Sequence, residues 1–160
     1  MTKETIDLII EWFAHIEQLA TDRKTQTGIV MDKQHCFDEI SAMASRCRQF
    51  VEKYKDDGII WYFDNCELSS EDIIRTMWKF KQLGYFENAS GIIFGRTMLE
   101  VSNMDISFKD AVKHSLSELN IPIILDADIG HKPPQFTIIN GALAKVKYAN
   151  HFGQISFRLT

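Results

Sequence analysis

Cysteine and proline are scarce in this sequence, with three of each among 160 residues. Cys36, Cys47 and Cys66 are odd in number and widely spaced, which excludes a disulfide framework and leaves no Cys-x-x-Cys pair for zinc or redox chemistry. Reduced thiols are expected. No apolar run reaches the roughly 18 to 20 residues that would span a bilayer, so a soluble protein with no membrane partner is expected. The opening residues, Met1-Thr2-Lys3-Glu4-Thr5, lack the zones of a secretory signal, which points to the cytoplasm. There is no basic excess either: the net charge is -4 and the pI is near 5.7, which argues against a nucleic-acid surface. Gly91 to Gly95 carries two glycines but no Gly-x-Gly-x-x-Gly, so those glycines punctuate a strand rather than cradle a dinucleotide. Repeats and low-complexity segments are also missing.

What is present is enough apolar material, 45% of residues, for one substantial core. Ile6, Ile9, Ile10, Phe13, Ile16 and Leu19 recur at three- and four-residue steps, predicting a helix over 5–19. Phe37, Ile40, Met43, Cys47, Phe50, Val51 and Tyr54 predict a second helix from Cys36 to Lys55, ended by Asp56-Asp57-Gly58. Residues 1–57 therefore read as a helical amino-terminal extension, a hairpin with nothing catalytic in it.

From residue 58 to 160 the signals alternate. Ile59 to Phe63 is a β-rich apolar run. Ser69 or Ser70 caps a helix of Glu71 to Leu83, stopped by Gly84. Gly91 to Gly95 is a second strand, Ser107 to Leu119 a helix, and Ile121 to Leu125 a third strand. This is an α/β fold with a parallel β/α core. Thr137 to Ile139, Ala142 to Tyr148 and Gln154 to Leu159 form a β-rich carboxyl-terminal tail, with Ala149 to Gly153 as a hairpin loop. Trp12, Trp61 and Trp78 fall on apolar stripes and are expected in the core or at an interface.

Parallel strands release their carboxyl ends at one edge of the sheet, where open α/β folds place their chemistry. Asp64 follows the first strand, Arg96 the second, and Asp126-Ala127-Asp128-Ile129-Gly130-His131 the third. An imidazole acts as a general base when a carboxylate fixes its tautomer and stabilises the imidazolium. His131 is the candidate base and Asp64 the candidate carboxylate. Other readings compete with this one: a histidine that only hydrogen-bonds in its loop, a Cys66–His131 nucleophile pair, or an oxygen-rich metal site of Asp64, Asp126, Asp128 and His131. Cys66 is better read as an inert thiol, and no ligand-spacing motif supports a metal. Arg96 and Asp128 are the candidates for substrate binding, Arg96 through a substrate carboxylate that its planar fork suits, against a plain structural salt bridge.

Three ordered blocks carry a resemblance. Gly58-Ile59-Ile60-Trp61-Tyr62-Phe63-Asp64-Asn65-Cys66-Glu67, then Gly84-Tyr85-Phe86 leading into Gly91-Ile92-Ile93-Phe94-Gly95-Arg96, then Ile121-Pro122-Ile123-Ile124 ending in Asp128-Ile129-Gly130-His131, resemble the carboxyl-terminal domain of the LD-carboxypeptidase family. The family's serine peptidases include muramoyl-tetrapeptide carboxypeptidases and microcin C immunity peptidases. The likeness runs from about Phe50 to Thr160. It implies a Ser-Glu-His triad split between two domains, in which His131 matches the base and Asp64 stands where the glutamate belongs.

Two departures matter. Aspartate is shorter than glutamate by one methylene, about 1.5 Å of reach, and Glu67 is the substitute carboxylate if its loop turns back. The nucleophile is also missing: residues 1–57 contain no Gly-x-Ser-x-Gly elbow, and Ser41 and Ser45 lie within a predicted helix. The resemblance thus implies a non-catalytic or partner-dependent remnant acting in peptide binding or assembly. Its alternative is an active peptidase or amidase subunit that removes a carboxyl-terminal D-amino acid from a small peptide, as in peptidoglycan recycling or microcin immunity. The partners implied are a small peptide and either a second copy, through residues 1–57, or a serine-bearing chain. No cofactor is called for, since the triad uses only water.

Overall fold

The protein is described from a computed structural model covering residues 33–150 and 152–158. The expected helix over 5–19, and Trp12 with it, lie outside these residues. The elements are α1 (Lys33–Lys53), β1 (Ile59–Phe63), α2 (Ser70–Gln82), β2 (Ala89–Gly95), α3 (Phe108–Leu116), β3 (Ile123–Ala127), β4 (Leu143–Ala149) and β5 (Phe152–Arg158). They fall into two compact units, one taking in α1 with residues 79–87, the other residues 56–78 and those from 88 onward.

In the first unit, α1 buries Ala44, Cys47 and Val51, spaced by three and four residues as one helix face requires, and Leu83 and Phe86 are buried as well. Phe50, placed on the apolar stripe by the sequence pattern, is 43% exposed. It stands one residue, about 100° of helix, away from Val51, and its ring lies 4.9 Å from that of Tyr54.

The second unit is built on a three-stranded sheet in the order β1-β2-β3. β1 is parallel to β2, with Ile60 opposite Gly91 and Phe63 opposite Phe94; β3 is parallel to β2, with Ile92 opposite Ile123. Five consecutive β2 residues, Gly91 to Gly95, are buried, as a central strand of a covered parallel sheet must be. Phe94 packs at 5.3 Å on Phe63 and edge-on at 5.9 Å on Phe108 of α3. Ala111, Val112 and Leu116 continue that face of α3, and Ile73 and Met77 supply the buried face of α2. Both helices start alike. The Ser69 hydroxyl accepts from the Asp72 amide and the Ser107 hydroxyl from the Asp110 amide, each satisfying an orphan donor of the first turn.

Several boundaries differ from the sequence expectation. β3 ends at Ala127 rather than Leu125 because two steps on β2, Ile93 to Gly95, oppose three on β3, Ile124 to Ala127. The extra residue is a bulge, and Asp126 takes a left-handed φ of 59° that aspartate tolerates better than most residues. α3 stops at Leu116, where its last turn tightens and the Leu119 amide bonds to the Leu116 carbonyl. Thr137 to Ile139 is no strand: Phe136 N donates to Asp128 O, but the run after it has no ladder to join, and β-propensity without a partner strand makes no sheet. The hairpin turn is tighter than expected, since Ala149 pairs with Phe152 and leaves only residues 150–151 between the strands. Trp78 is 44% exposed and so not a core residue.

This packing sets a stability scale. Phe94→Ala is expected to cost about 3 to 5 kcal/mol and Ser107→Ala about 1 kcal/mol, measured by urea unfolding of the two variants beside the parent.

Candidate active site

The site forms where β1, β2 and β3 run out. Asp64 is the first residue beyond β1, Arg96 the first beyond β2, and the segment 128–134 follows β3 directly. Parallel pairing to a shared central strand is why three sequence-distant exits meet.

His131 Nδ1 is hydrogen bonded to Asp64 Oδ2. The His131 side chain is 64% exposed while that of Asp64 is 23% exposed, so the carboxylate lies beneath the ring. A carboxylate on Nδ1 holds the proton there in the neutral ring and leaves Nε2 as the basic nitrogen. That is the tautomer a general base needs.

Two glycines permit this approach. A Cβ on Gly130 would lie 2.0 Å from Asp64 Oδ1, and Gly130 has a φ of +92°, so both contact and backbone require glycine. A Cβ on Gly95 would lie 2.5 Å from Ile129 O. The segment carrying His131 therefore settles directly onto the strand ends, which brings the ring to Asp64. Glu67 is exposed three residues on; the carboxylate in contact with the ring is that of Asp64.

Arg96 turns toward its own chain. Its Nη2 pairs with Asp128 Oδ1 at 3.0 Å and donates to the carbonyls of Lys132, at 2.9 Å, and Pro134. Its Nε is buried without a hydrogen-bond partner among the described residues. Asp126 is drawn away to the Lys109 ammonium at 2.8 Å, which raises the lysine's pKa. Among the described residues no three His, Cys, Asp or Glu side chains group closely enough to hold a metal ion. Cys66 is half-buried. Cys47 is buried in the other unit, where burial, with Glu87 adding to it, pushes its thiol upward. A cavity of about 630 Å³ between β3 and the β4–β5 hairpin is lined by Lys109, Asp126, Asp128, Phe136 and Tyr148 among others. Neither His131 nor Asp64 lines it.

The loop after β2 borders the site, since Met98 N donates to Asn65 O beside Asp64. It exposes Met98, Leu99, Val101 and Met104, the last at 70%. The loop is tied down by Glu71, whose Oε1 accepts from Ser102 Oγ and from the amides of Asn103 and Met104. These contacts, the serine hydroxyl first, hold the Glu71 carboxyl down to about 2 from 4.5. Gly95, Gly130, Asn65 and Glu71 were not singled out by the sequence reading; only the glycine at the strand end and the one before the histidine left any mark.

The LD-carboxypeptidase C-terminal domain matches residues 35–146, well over half of the chain. The chain belongs to that family. Among solved structures, the muramoyltetrapeptide carboxypeptidase from Oxalobacter formigenes is similar in fold, with a TM-score of 0.56 at 17% identity over 62% of this chain. This chain spans 36% of that protein's length. The microcin C7 self immunity protein MccF in its wild type apo state is similar over 43% of this chain and 21% of its own, at 18% identity and a TM-score of 0.39, too partial a likeness to argue from. No curated protein is a match.

Two outcomes follow from the LD-carboxypeptidase domain's geometry. Gly130→Ala is expected to abolish the Asp64–His131 contact, seen as loss of the low-field Nδ1 proton in an NMR spectrum. Because the folded state lowers the Glu71 pKa, its contribution to stability is present above about pH 4.5 and is lost as pH falls toward about 2. Glu71→Gln is expected to flatten the fall in urea midpoint across that window.

Proposed function

We propose that this domain supplies the general base of a serine-dependent peptidase or amidase, with the serine carried by another polypeptide. The reading rests on one observation: the His131 ring is held through Nδ1 by Asp64 and is otherwise exposed. Nε2 would take the serine proton as the serine oxygen bonds to the substrate carbonyl carbon. It would return that proton to the amine as the C–N bond breaks, and water would then release the acyl group by the same steps. Asp64 would stabilise the imidazolium formed each time. Ser41 and Ser45 stand on α1, and the Ser45 hydroxyl accepts from Gln49; neither sits on a strand-to-helix elbow.

The substrate would be a small peptide with a carboxyl-terminal amide bond, such as the terminal D-alanine linkage of a murein tetrapeptide met in the cytoplasm. Its terminal carboxylate would compete with Asp128 for the Arg96 guanidinium, whose planar fork suits either. A second reading, peptide binding or assembly without turnover, is favoured by the exposed apolar side chains of Met98, Leu99, Val101 and Met104 in the loop after β2.

The test mixes this chain with serine-elbow proteins encoded beside it and measures D-alanine released from murein tetrapeptide. Release that falls at least ~10³-fold in His131→Ala supports the catalytic reading. Tetrapeptide binding without release supports the second. Stoichiometric labelling of this chain alone by a fluorophosphonate would overturn the claim that the serine comes from elsewhere.

A further inference from the structure

We propose that Asn65, adjacent to Asp64, is a positioning residue for the Asp64–His131 pair, acting through a buried hydrogen bond to Thr97. This deepens the reading of that pair as a base and rests on it.

Asn65 is 3% exposed, and a buried primary amide must have its donors and acceptor met. Its Oδ1 accepts from Leu68 N at 3.0 Å, and a backbone amide can only donate, which settles which end of the side chain is oxygen. Its Nδ2 then donates to Leu68 O at 3.0 Å and to Thr97 Oγ1 at 2.9 Å. Thr97 Oγ1 passes its own proton to Leu99 O at 3.0 Å. The Asn65 main chain contributes as well, its carbonyl accepting from Met98 N at 3.0 Å.

These contacts close a ring. Asp64 is bonded in sequence to Asn65; Asn65 is hydrogen bonded to Thr97; Thr97 is joined to Arg96; Arg96 grips the carbonyl of Lys132; Lys132 is joined to His131; and His131 returns to Asp64. The Asp64–His131 contact is the exposed link, and the Asn65–Thr97 bond is the buried one directly across the strand ends. β1 stops at Phe63, so no ladder bond of β1 extends to the carboxylate-bearing residue. What fixes Asp64 beneath the ring is the side chain of its neighbour. A side-chain hydrogen bond in a dry, low-dielectric setting is stronger and more directional than one in water, which suits it to this task.

The experiment reads the ring itself. Nitrogen-15 NMR at a pH where imidazole is neutral distinguishes the Nδ1–H from the Nε2–H tautomer, and the His131 signals are assigned by their disappearance in His131→Gln. In the parent chain the Nδ1–H form should dominate, and Asp64→Asn should reverse the preference. Asn65→Ala should lose the Nδ1–H signature. Thr97→Val, which keeps the volume and removes only the hydroxyl, should lower the tautomer ratio severalfold in a chain that remains folded. Ser107→Ala, a helix cap outside the ring of contacts, should lower thermal stability and leave the His131 signals unmoved. If Thr97→Val, and Asn65→Ala where it folds, keep the parent's tautomer ratio and merely melt earlier, the inference is overturned and Asn65 is structural only. If the parent itself lacks the Nδ1–H signature and Asp64→Asn changes nothing, it is the base pair, and with it the proposed function, that fails.

Discussion

The burial of β2 is the constraint from which the rest follows. Gly91-Ile92-Ile93-Phe94-Gly95 is withdrawn from water along its whole length, which obliges its backbone groups to find partners on either side. β1 and β3 supply them, both parallel to it. A shared direction leaves the three chain exits no choice but to open at one edge. Asp64, Arg96 and His131 gather there as a by-product of satisfying amides in an apolar core, and their polar side chains reach the surface only because the strands end.

Proximity alone would not make a base. The chain brings the ring to the carboxylate by thinning the backbone opposite it: Gly130 lets the loop lie against Asp64, and Gly95 lets Ile129 lie against β2. Aspartate at position 64 and glycine at position 130 thus form one geometric solution, and energies for changing either should not add. In this LD-carboxypeptidase domain the closeness of Asp64 and His131 is thus shared between side chain and main chain.

The sequence made the five strands, the three described helices and the shared edge that holds Asp64 and His131 legible, because hydrophobic period and β-rich runs are local and parallel order turns them into an edge. It missed what depends on exact approach. The bulge at Asp126 shifted the end of β3 by two residues, and no pattern in Ile121 to Leu125 announces it. Thr137 to Ile139 looked like a strand from composition, yet strands are made by neighbours. Arg96 carried two readings that composition could not separate; its contacts with Asp128, Lys132 and Pro134 are visible only once the chain has folded back. Asn65, three residues before Leu68 and 32 before Thr97, stood only as one member of the first block; its burial comes from partners that far along the chain.

Asp64 and His131 are 67 residues apart, and β2 lies between the strands that carry them to the edge. Such a contact carries a loop-closure cost that contacts within one helix do not. On a ribosome it cannot exist while the emerging chain stops short of β3, however complete β1 and α2 have become. The Asp64–His131 contact is therefore a report on the sheet's own completion: a chain clipped before β3, or misregistered there, holds the aspartate and lacks the imidazole beside it.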